Sequence, residues 1–423
     1  MFTLVKYLKN KELLLALYFF IFIFGCFIGL SNNFYNELRI LEIIILLVIG
    51  IFWKEERTKK YDAKGDFLFF LFLIIGDLVW SNSDFIVVEL LVFYLLYRVF
   101  FILNYSEMLS KIILISSFSI FLLFPFSVYG YLYTGIYDNW YPMPWNIRIY
   151  NSYFVVCSIF SVWFYLKKDK CKNIYLFFIF LALLSILFDG GRSALTSYTV
   201  FMVLVCIFNK LDRLRLILVY GFAWAMYFLI TFLSPSNPLR PIIRDASSGR
   251  YKLWEHAIQC WLNNPIFGCG FYQLDEYKNL PAHPHNLFIQ ILSETGLIGF
   301  SFLSYLMFSV VKNINIKHEN GYFLLASFSA VFVELFFSGA YIYPVTQVSF
   351  LWLFIFLLKN PDFSCSFIYV EYKHTMFELI VVFLIKIFVL FVFFSLFFNL
   401  YVHGETDLPL TPPRFWGYGY KLF

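Results

Sequence analysis

The stretch that decides the fold runs from Lys172 to Lys210 and reads KNIYLFFIFLALLSILFDGGRSALTSYTVFMVLVCIFNK. Two apolar runs, Ile174–Phe188 and Ala194–Phe208, flank a short polar segment that contains Arg192. Runs of this kind are typical of membrane-crossing helices, which need about 20 predominantly apolar residues. The stretch therefore predicts a helical hairpin in a bilayer, with Arg192 at the turn.

The rest of the chain repeats this apolar pattern. Hydrophobic residues make up 61% of the 423 residues and charged residues only 14%, whereas soluble domains contain about 25% charged residues. This composition excludes a water-soluble globular protein and favours an all-α, polytopic transmembrane helical bundle. The 58 Phe and 31 Tyr residues are typical of lipid-facing and interfacial positions.

The apolar runs predict 12–13 membrane spans, and the last of them decides between the two counts. We expect the first run to be retained, because no small-residue cleavage site follows it. The predicted spans are Leu13–Leu30, Ile40–Trp53, Phe67–Trp80, Phe85–Leu103, Ile112–Tyr133, Ser152–Leu166, Ile174–Phe188, Ala194–Phe208, Ile217–Leu233, Leu297–Val311, Phe323–Ser338, Val348–Leu358 and Phe377–Leu400.

Lys and Arg are concentrated in one set of alternate loops, for example at Lys54–Lys64 and Lys167–Lys172. Because cytoplasmic loops are enriched in these residues, we expect a cytoplasmic N-terminus and an outward-facing loop at Ser234–His285. In a bacterium this means a multi-pass protein of the inner (cytoplasmic) membrane with a periplasmic loop. We divide the chain into membrane helices (1–233), the large loop (234–296) and further membrane helices with a tail (297–423).

The long loop contains signals for short interfacial helices. Ser247 or Ser248 can cap a helix that begins near Arg250, and Pro265 is expected to end it. Apolar side chains recur on this helix every three or four residues, which predicts a helix that lies flat on the membrane. They are Tyr251, Trp254, Ile258 and Trp261.

The second part of the loop is expected to be irregular before it becomes helical again. Gly268 and Gly270 permit a tight turn, Asn286 can cap a second helix, and Gly296 is a natural end for it. Two cysteines of the loop can form a disulfide in an oxidising compartment, and free thiols agree equally well with the sequence. They are Cys260 and Cys269, and the sequence contains no CxxC or His/Cys cluster that would indicate a metal site.

Three outward-facing groups carry the candidate chemistry. Arg192 stands in the tight turn between two predicted spans and Arg250 where a helix is expected to begin, and arginine binds phosphate with two donors at once. His285 is the side chain best suited to move a proton near neutral pH. We predict all three as catalytic residues, the two arginines also as substrate-binding residues, and Lys252 and Asn286 as further substrate contacts.

Four motifs occur in an order that resembles the superfamily of O-antigen ligases and O-antigen polymerases. They are GGRSAL at Gly190–Leu195, GRYKLWEHAI at Gly249–Ile258, NPIFGCGF at Asn264–Phe271 and HPHNLFIQILSETGLIG at His283–Gly299. The resemblance implies a metal-independent glycosyltransferase of the GT-C type, with no cofactor, that acts in bacterial surface polysaccharide assembly. Arg192 and Arg250 would then hold a diphosphate, and His285 would assist the acceptor hydroxyl.

The implied partners are an undecaprenyl-diphosphate-linked oligosaccharide, an acceptor glycan, membrane lipids and a chain-length regulator, with no nucleic acid. The acceptor is the growing chain in a polymerase of O-antigen or capsule repeat units, and lipid A–core in the ligase of lipopolysaccharide biosynthesis. The chain segment between Arg250 and His285 is short, and this favours a polymerase over a ligase, which must accommodate a bulky acceptor. A transporter or flippase of the same lipid-linked glycan is the alternative from another class. The small number of charged residues inside the predicted spans disfavours it.

Overall fold

The computed structural model describes residues 34–52, 85–137, 140, 147–168, 172–235, 249–272, 283–312, 314–315, 318–363 and 376–403, with Leu15, Val79, Leu274 and Phe415 as single residues. Every regular element among these residues is helical, which confirms the all-α prediction. The predicted spans Leu13–Leu30 and Phe67–Trp80 lie outside the described residues, apart from Leu15 and Val79.

The first helices follow the predicted apolar runs closely. They are α1 (Phe34–Leu47), which continues into a π-helical turn (Val48–Phe52), α2 (Phe85–Ile102), α3 (Glu107–Ser117), which continues into a 3₁₀ turn (Phe118–Leu122), α4 (Phe124–Thr134), α5 (Ile147–Leu166), α6 (Lys172–Phe188) and α7 (Arg192–Phe208). The predicted span Ile112–Tyr133 is thus divided among α3, the 3₁₀ turn and α4. Pro125 stands in the first turn of α4, where its missing N–H is tolerated.

The second group of helices includes both helices expected around the long loop. They are α8 (Arg213–Leu233), α9 (Arg250–Asn263), α10 (Leu287–Lys312), α11 (Gly321–Phe337), α12 (Pro344–Lys359) and α13 (Met376–His403). Several begin earlier than their apolar runs, since polar residues form a first helical turn that hydropathy alone does not detect. The largest difference is in α10, where the expected interfacial helix and the span from Leu297 join across Gly296, whose backbone is not helical (φ 63°, ψ −158°).

The described residues contain five helices that are long and apolar enough to cross a membrane by length and composition. They are Glu107–Thr134, Ile149–Leu166, Arg213–Leu233, Leu287–Lys312 and Ile380–Val402, and α6, α7, α11 and α12 are shorter apolar helices. Several candidate spans thus lie within one chain, which agrees with the predicted polytopic helical membrane protein.

The chain divides into two compact units. The first unit comprises 1–34, 105–246 and 314–364, and it contains α3 to α8, α11 and α12. Its most extensive helix pairs are α7 with α11 and α5 with α6. Ser197 of α7 donates a hydrogen bond to the carbonyl of Ala330 in α11 (2.6 Å), and the small side chains of this pair allow the two helices to approach closely. Glu334 of α11 accepts a hydrogen bond from Ser152 of α5.

The second unit comprises 35–104, 247–313 and 365–423, and it contains α2, α9, α10, α13 and most of α1. The most extensive helix pair is α9 with α10. Lys386 of α13 donates a hydrogen bond to the carbonyl of Ile51 in the π-helical turn (3.1 Å). An irregular turn in a membrane helix leaves backbone groups that need such a partner, so Lys386 has a structural role there.

Candidate functional site

Arg192 lies at the predicted turn, and the helix that follows begins two residues earlier than expected, so that Arg192 is the first residue of α7. The turn before it is tight, because Gly190 has a left-handed backbone (φ 64°) and Gly191 packs against Asn151 of α5. A Cβ atom added to Gly191 would lie 2.4 Å from Asn151 Nδ2. The guanidinium group of Arg192 is therefore carried at the N-terminus of a 17-residue helix, which is where the helix dipole favours anions.

Asp189 in the same turn was not selected from the sequence, yet its carboxyl group is almost fully buried (4% exposed). Tyr137 donates its hydroxyl hydrogen to Asp189 Oδ1 (2.9 Å), and Trp140 Nε1 donates to the Tyr137 oxygen (2.8 Å). Burial raises the pKa of Asp189 well above its ordinary value of 3.8, and the hydrogen bond from Tyr137 only partly opposes it. The surroundings therefore favour the neutral form of this carboxyl group over the ionised one.

In the second unit, α9 begins at Arg250 as predicted, but the predicted serine cap is wrong. The residue at the cap position is Gly249, whose left-handed backbone (φ 77°) turns the chain into the helix without a side-chain hydrogen bond. Ser247 and Ser248 lie outside the described residues. Lys252 is exposed in the first turn of α9, and the helix packs through Leu253 and Ala257.

The segment His283–Asn286 forms the centre of this second group. His283 Nε2 and His285 Nδ1 are 3.0 Å apart, a hydrogen-bond distance, and the two side chains are only 3% and 8% exposed. His285 has a left-handed backbone (φ 54°), which is uncommon for residues other than glycine, and residues with such strained backbones cluster at functional sites. The sequence predicted a role for His285 and did not predict its pairing with His283.

Contacts from two helices fix this strained segment. Trp254 of α9 donates its indole N–H to the carbonyl of Pro284 (2.8 Å). Asn286 Oδ1 accepts the backbone N–H of Ile289 (3.0 Å), which confirms the predicted cap of α10. Residues four apart on a helix share a face, so Arg250 lies on the same face of α9 as Trp254. In the second unit, the first turns of α9 thus contact the segment that carries the paired histidines.

The turn between α9 and α10 is held by backbone contacts around two glycines. Gly268 (φ 74°) and Gly296 (φ 63°) pack against each other, and an added Cβ atom would lie 2.3 Å from the Ile266 oxygen at Gly296. Backbone hydrogen bonds join Cys269 N to Ser293 O (2.8 Å) and Leu297 N to Pro265 O (2.9 Å). The predicted irregular turn is confirmed, and close backbone packing is the reason it needs glycine.

Two further contacts attach this loop to its surroundings. Cys260 and Cys269 are joined by a disulfide across the end of α9, which settles the alternative that the sequence left open. The hydroxyl of Tyr272, a second buried residue with a positive φ (62°), donates to Glu89 Oε2 of α2 (2.5 Å). Glu89 is costly as an isolated acid inside a membrane helix, and this hydrogen bond is one of its compensations.

Among the residues that the structure describes, no group of three His, Cys, Asp or Glu side chains forms a metal-binding arrangement. The groups available for chemistry among these residues are arginines at helix N-termini, a histidine pair and a buried carboxyl group. The metal independence expected from the sequence stays a prediction.

Together these features define a class: a multi-pass helical membrane protein whose polar candidate residues lie at helix ends rather than within an open soluble domain. Residues 176–304 match the family model described as O-antigen ligase. This segment contains Arg192, Arg250, His283 and His285. The resemblance to the O-antigen ligase superfamily that the sequence motifs indicated is thereby confirmed.

Curated proteins similar to this chain carry the name "Putative polysaccharide ligase". One from Rickettsia typhi is 28% identical over 141 residues, which covers 28% of this chain and 34% of the relative. One from Rickettsia bellii is 36% identical over 98 residues, or 22% of this chain and 23% of the relative. The matched part of the chain thus spans about a third or less of the length of these relatives.

Proposed function

We propose that this protein is a membrane glycosyltransferase that transfers a glycan from undecaprenyl diphosphate to the hydroxyl group of an acceptor sugar. The matches to O-antigen ligase and to proteins named as polysaccharide ligases support this reaction class. The observation that carries the proposal is the His283–His285 pair, held beside the start of α9 by the hydrogen bond from Trp254 to Pro284.

Arg192 and Arg250 are assigned to the diphosphate of the donor. Each is the first residue of a helix, α7 and α9. The partial positive charge of a helix N-terminus and a guanidinium group both favour an anion with several acceptor oxygens. The leaving group gains negative charge as the glycosidic bond breaks, so these arginines stabilise it in the transition state. Lys252 on the first turn of α9 and Asn286 remain candidate substrate contacts.

His285 is assigned as the general base. Two buried imidazole rings whose facing nitrogens are 3.0 Å apart do not both carry a charge readily, and the hydrogen bond between them uses one ring N–H. If His285 Nδ1–H donates to His283 Nε2, the neutral His285 ring carries a lone pair on Nε2, which is the atom that accepts a proton. That proton comes from the acceptor hydroxyl, whose oxygen bonds to the anomeric carbon while undecaprenyl diphosphate leaves. His283 then acts as a positioning residue that fixes the tautomer of His285.

The two forms of this reaction differ in their acceptor. The short segment between Arg250 and His285 favours a polymerase of O-antigen or capsule repeat units. The description of the matching family and the names of the relatives favour a ligase that uses lipid A–core. A chain-length regulator is the expected protein partner of the polymerase form. Transport of the lipid-linked glycan remains the alternative from another class.

A location in the bacterial inner membrane, with the loop in the periplasm, completes the proposal. Disulfides persist in oxidising compartments such as the periplasm and are rare in the cytosol. The Cys260–Cys269 bond therefore supports the same orientation as the distribution of Lys and Arg along the chain. The two arguments are independent, since one rests on thiol chemistry and the other on loop charge.

The first experiment compares His285→Ala and Arg192→Ala with His256→Ala and Arg215→Ala in cells that make surface polysaccharide. His256 is an exposed histidine of α9, and Arg215 belongs to the opposite set of loops. We expect the first two variants to insert normally but to lose long-chain polysaccharide, because a general base contributes roughly 10²–10⁴-fold to a rate. The two controls should retain it.

The products distinguish the forms of the reaction. Single repeats on the core indicate a polymerase, and lipid-linked polymer with an uncapped core indicates a ligase. Normal chain length in both site variants would contradict the enzyme, and lipid-linked glycan that accumulates on the cytoplasmic leaflet would indicate a flippase. In the purified enzyme, we expect His283→Gln to lower kcat and to shift its pH profile while KM for the donor changes little.

A further inference from the structure

A second group of polar atoms lies beside Arg192 in the first unit, and the mechanism above leaves it unused. Asn151 of α5 is 1% exposed and Asp189 is 4% exposed. Within the described part of the chain, neither amide atom of Asn151 has a hydrogen-bond partner, and neither does Asp189 Oδ2. Buried polar atoms are nearly always hydrogen-bonded, because leaving one unpaired costs about 1–3 kcal/mol. We therefore expect these atoms to form hydrogen bonds with a molecule that is not part of the chain.

The side chains of Asp189 and Asn151 both lie at the turn before α7. Asp189 and Gly191 are neighbours in the turn that leads into α7, and Asn151 packs directly on Gly191. The other carboxyl oxygen of Asp189 is already held by Tyr137, which is held in turn by Trp140. The ring of Tyr137 stacks on Phe188 at a centroid distance of 5.6 Å. The carboxyl group is thus fixed in orientation while its second oxygen remains without a protein partner.

The chemistry of these atoms selects a neutral hydroxyl-bearing ligand. The Oδ2 atom of a carboxyl group forms a hydrogen bond with a hydroxyl group, and a primary amide donates two hydrogen bonds and accepts through its oxygen. A metal cation would need more oxygen ligands and an ionised carboxylate. An anion would find no cationic group among these atoms. Adjacent hydroxyl groups of a sugar match the pattern, since each hydroxyl group both donates and accepts.

We propose that Asp189 and Asn151 form a subsite that hydrogen-bonds the hydroxyl groups of a sugar next to Arg192. The proposal rests on the function above, in which Arg192 binds the diphosphate. In a diphosphate-linked glycan, the first sugar is bonded directly to the phosphate, so a sugar subsite belongs beside the phosphate ligand. Asp189 and Asn151 are then specificity-determining residues, and Tyr137 is a positioning residue for the Asp189 carboxyl group.

The test measures the affinity of the purified full-length protein in detergent for three ligands. They are the undecaprenyl-diphosphate-linked oligosaccharide extracted from the producing cells, undecaprenyl diphosphate alone, and the free oligosaccharide. We expect Asp189→Ala and Asn151→Leu to bind the lipid-linked oligosaccharide roughly tenfold more weakly, the effect of one or two lost hydrogen bonds. Binding of undecaprenyl diphosphate alone should remain within about twofold of the wild type.

Two further variants make the result specific. Asp189→Asn presents the same donor and acceptor as a neutral carboxyl group, so it should bind within about threefold of the wild type. Ser161→Ala removes a buried hydroxyl group without a protein partner elsewhere on α5, and it should change neither affinity. Asn151→Leu should not lower the Tm, because the amide has no protein hydrogen bond to lose.

The outcomes separate the two proposals. A wild-type protein that binds neither lipid contradicts the proposed function itself. Unchanged affinity of Asp189→Ala and Asn151→Leu for the lipid-linked oligosaccharide, or an equal loss for undecaprenyl diphosphate alone, contradicts the subsite only and leaves water as the partner of these atoms. A loss confined to the lipid-linked oligosaccharide assigns the hydroxyl groups to the donor, and an equal loss for the free oligosaccharide assigns them to the acceptor. Both of these results support the subsite.

Discussion

The turn before α7 and the loop between α9 and α10 hold their candidate residues by different contacts. Backbone atoms hold the loop, through the packed glycines Gly268 and Gly296 and the hydrogen bonds beside them. Side chains hold the turn, through Tyr137 on Asp189 and Asn151 on Gly191. A backbone scaffold suits the strained histidine pair, which must keep one geometry. A side-chain scaffold that leaves polar atoms unpaired suits the recognition of a ligand.

The largest loss of stability is expected from alanine substitutions at one glycine of each region, Gly296 in the loop and Gly191 in the turn. Gly296→Ala places a methyl group 2.3 Å from a backbone oxygen, in a region of φ and ψ that essentially only glycine adopts. We expect a loss of stability above about 3 kcal/mol. Gly191→Ala meets the Asn151 side chain instead, at an ordinary φ of −76°, and we expect about 1–2 kcal/mol.

Thermal unfolding in detergent, with the yield of folded protein, measures both variants. The comparison requires a clearly lower Tm for Gly296→Ala than for Gly191→Ala. Equal values, or the reverse order, would show that the loop adjusts as readily as the turn. The distinction between a backbone scaffold and a side-chain scaffold would then be wrong.

The disulfide gives the next largest effect and belongs only to the loop. Cys260 and Cys269 are nine residues apart. A disulfide that closes a loop of this length lowers the conformational entropy of the unfolded chain and so raises the free energy of unfolding by about 2–3 kcal/mol. We expect the double variant Cys260→Ser with Cys269→Ser to lower the Tm accordingly, and dithiothreitol to lower the wild-type Tm by a similar amount. Cys206→Ser, which changes a free thiol of α7 in the first unit, is the control and should respond to dithiothreitol as the wild type does.

Alkylation before and after reduction provides a second measurement of the same bond. In protein from the membrane, Cys260 and Cys269 should be alkylated only after reduction. Alkylation of both without reduction would contradict the disulfide. It would also remove the support that thiol chemistry gives to a periplasmic loop.

The sequence predicted the features of both regions that depend on neighbouring residues. The turn at Arg192, the helix start at Arg250, the cap at Asn286 and the break at Gly296 are local, because each depends on the preferences of one or two residues. The serine cap failed for a local reason as well, since a left-handed Gly249 performs the same turn. Most helix starts and turns of the loop and of the turn before α7 could therefore be predicted from the sequence.

Contacts between segments that are distant in sequence could not be predicted. The hydrogen bond from Tyr137 to Asp189 spans 52 residues, and that from Tyr272 to Glu89 spans 183. No periodicity relates such positions, so the sequence could not identify Tyr272 as a partner of Glu89. The pairing of His283 with His285 is close in sequence, yet it depends on the unusual φ of His285. The sequence therefore assigned no role to His283, although its ring lies against the candidate base His285.

The smallest effect tests whether the helix-to-loop hydrogen bond matters for the histidine pair. Trp254→Phe keeps the aromatic ring and removes the N–H that Pro284 accepts at 2.8 Å, and such a bond contributes about 1 kcal/mol. We expect about a fivefold lower transfer rate and a small fall in Tm, because the strained His285 backbone loses one restraint. Trp261→Phe is the matched control: its N–H reaches the Pro265 carbonyl in an exposed, longer contact of 3.2 Å, so its rate should stay within about twofold. If the two variants behave alike, Trp254 contributes packing only, and the strained His283–His285 segment is held by the backbone of the loop without help from the α9 side chain.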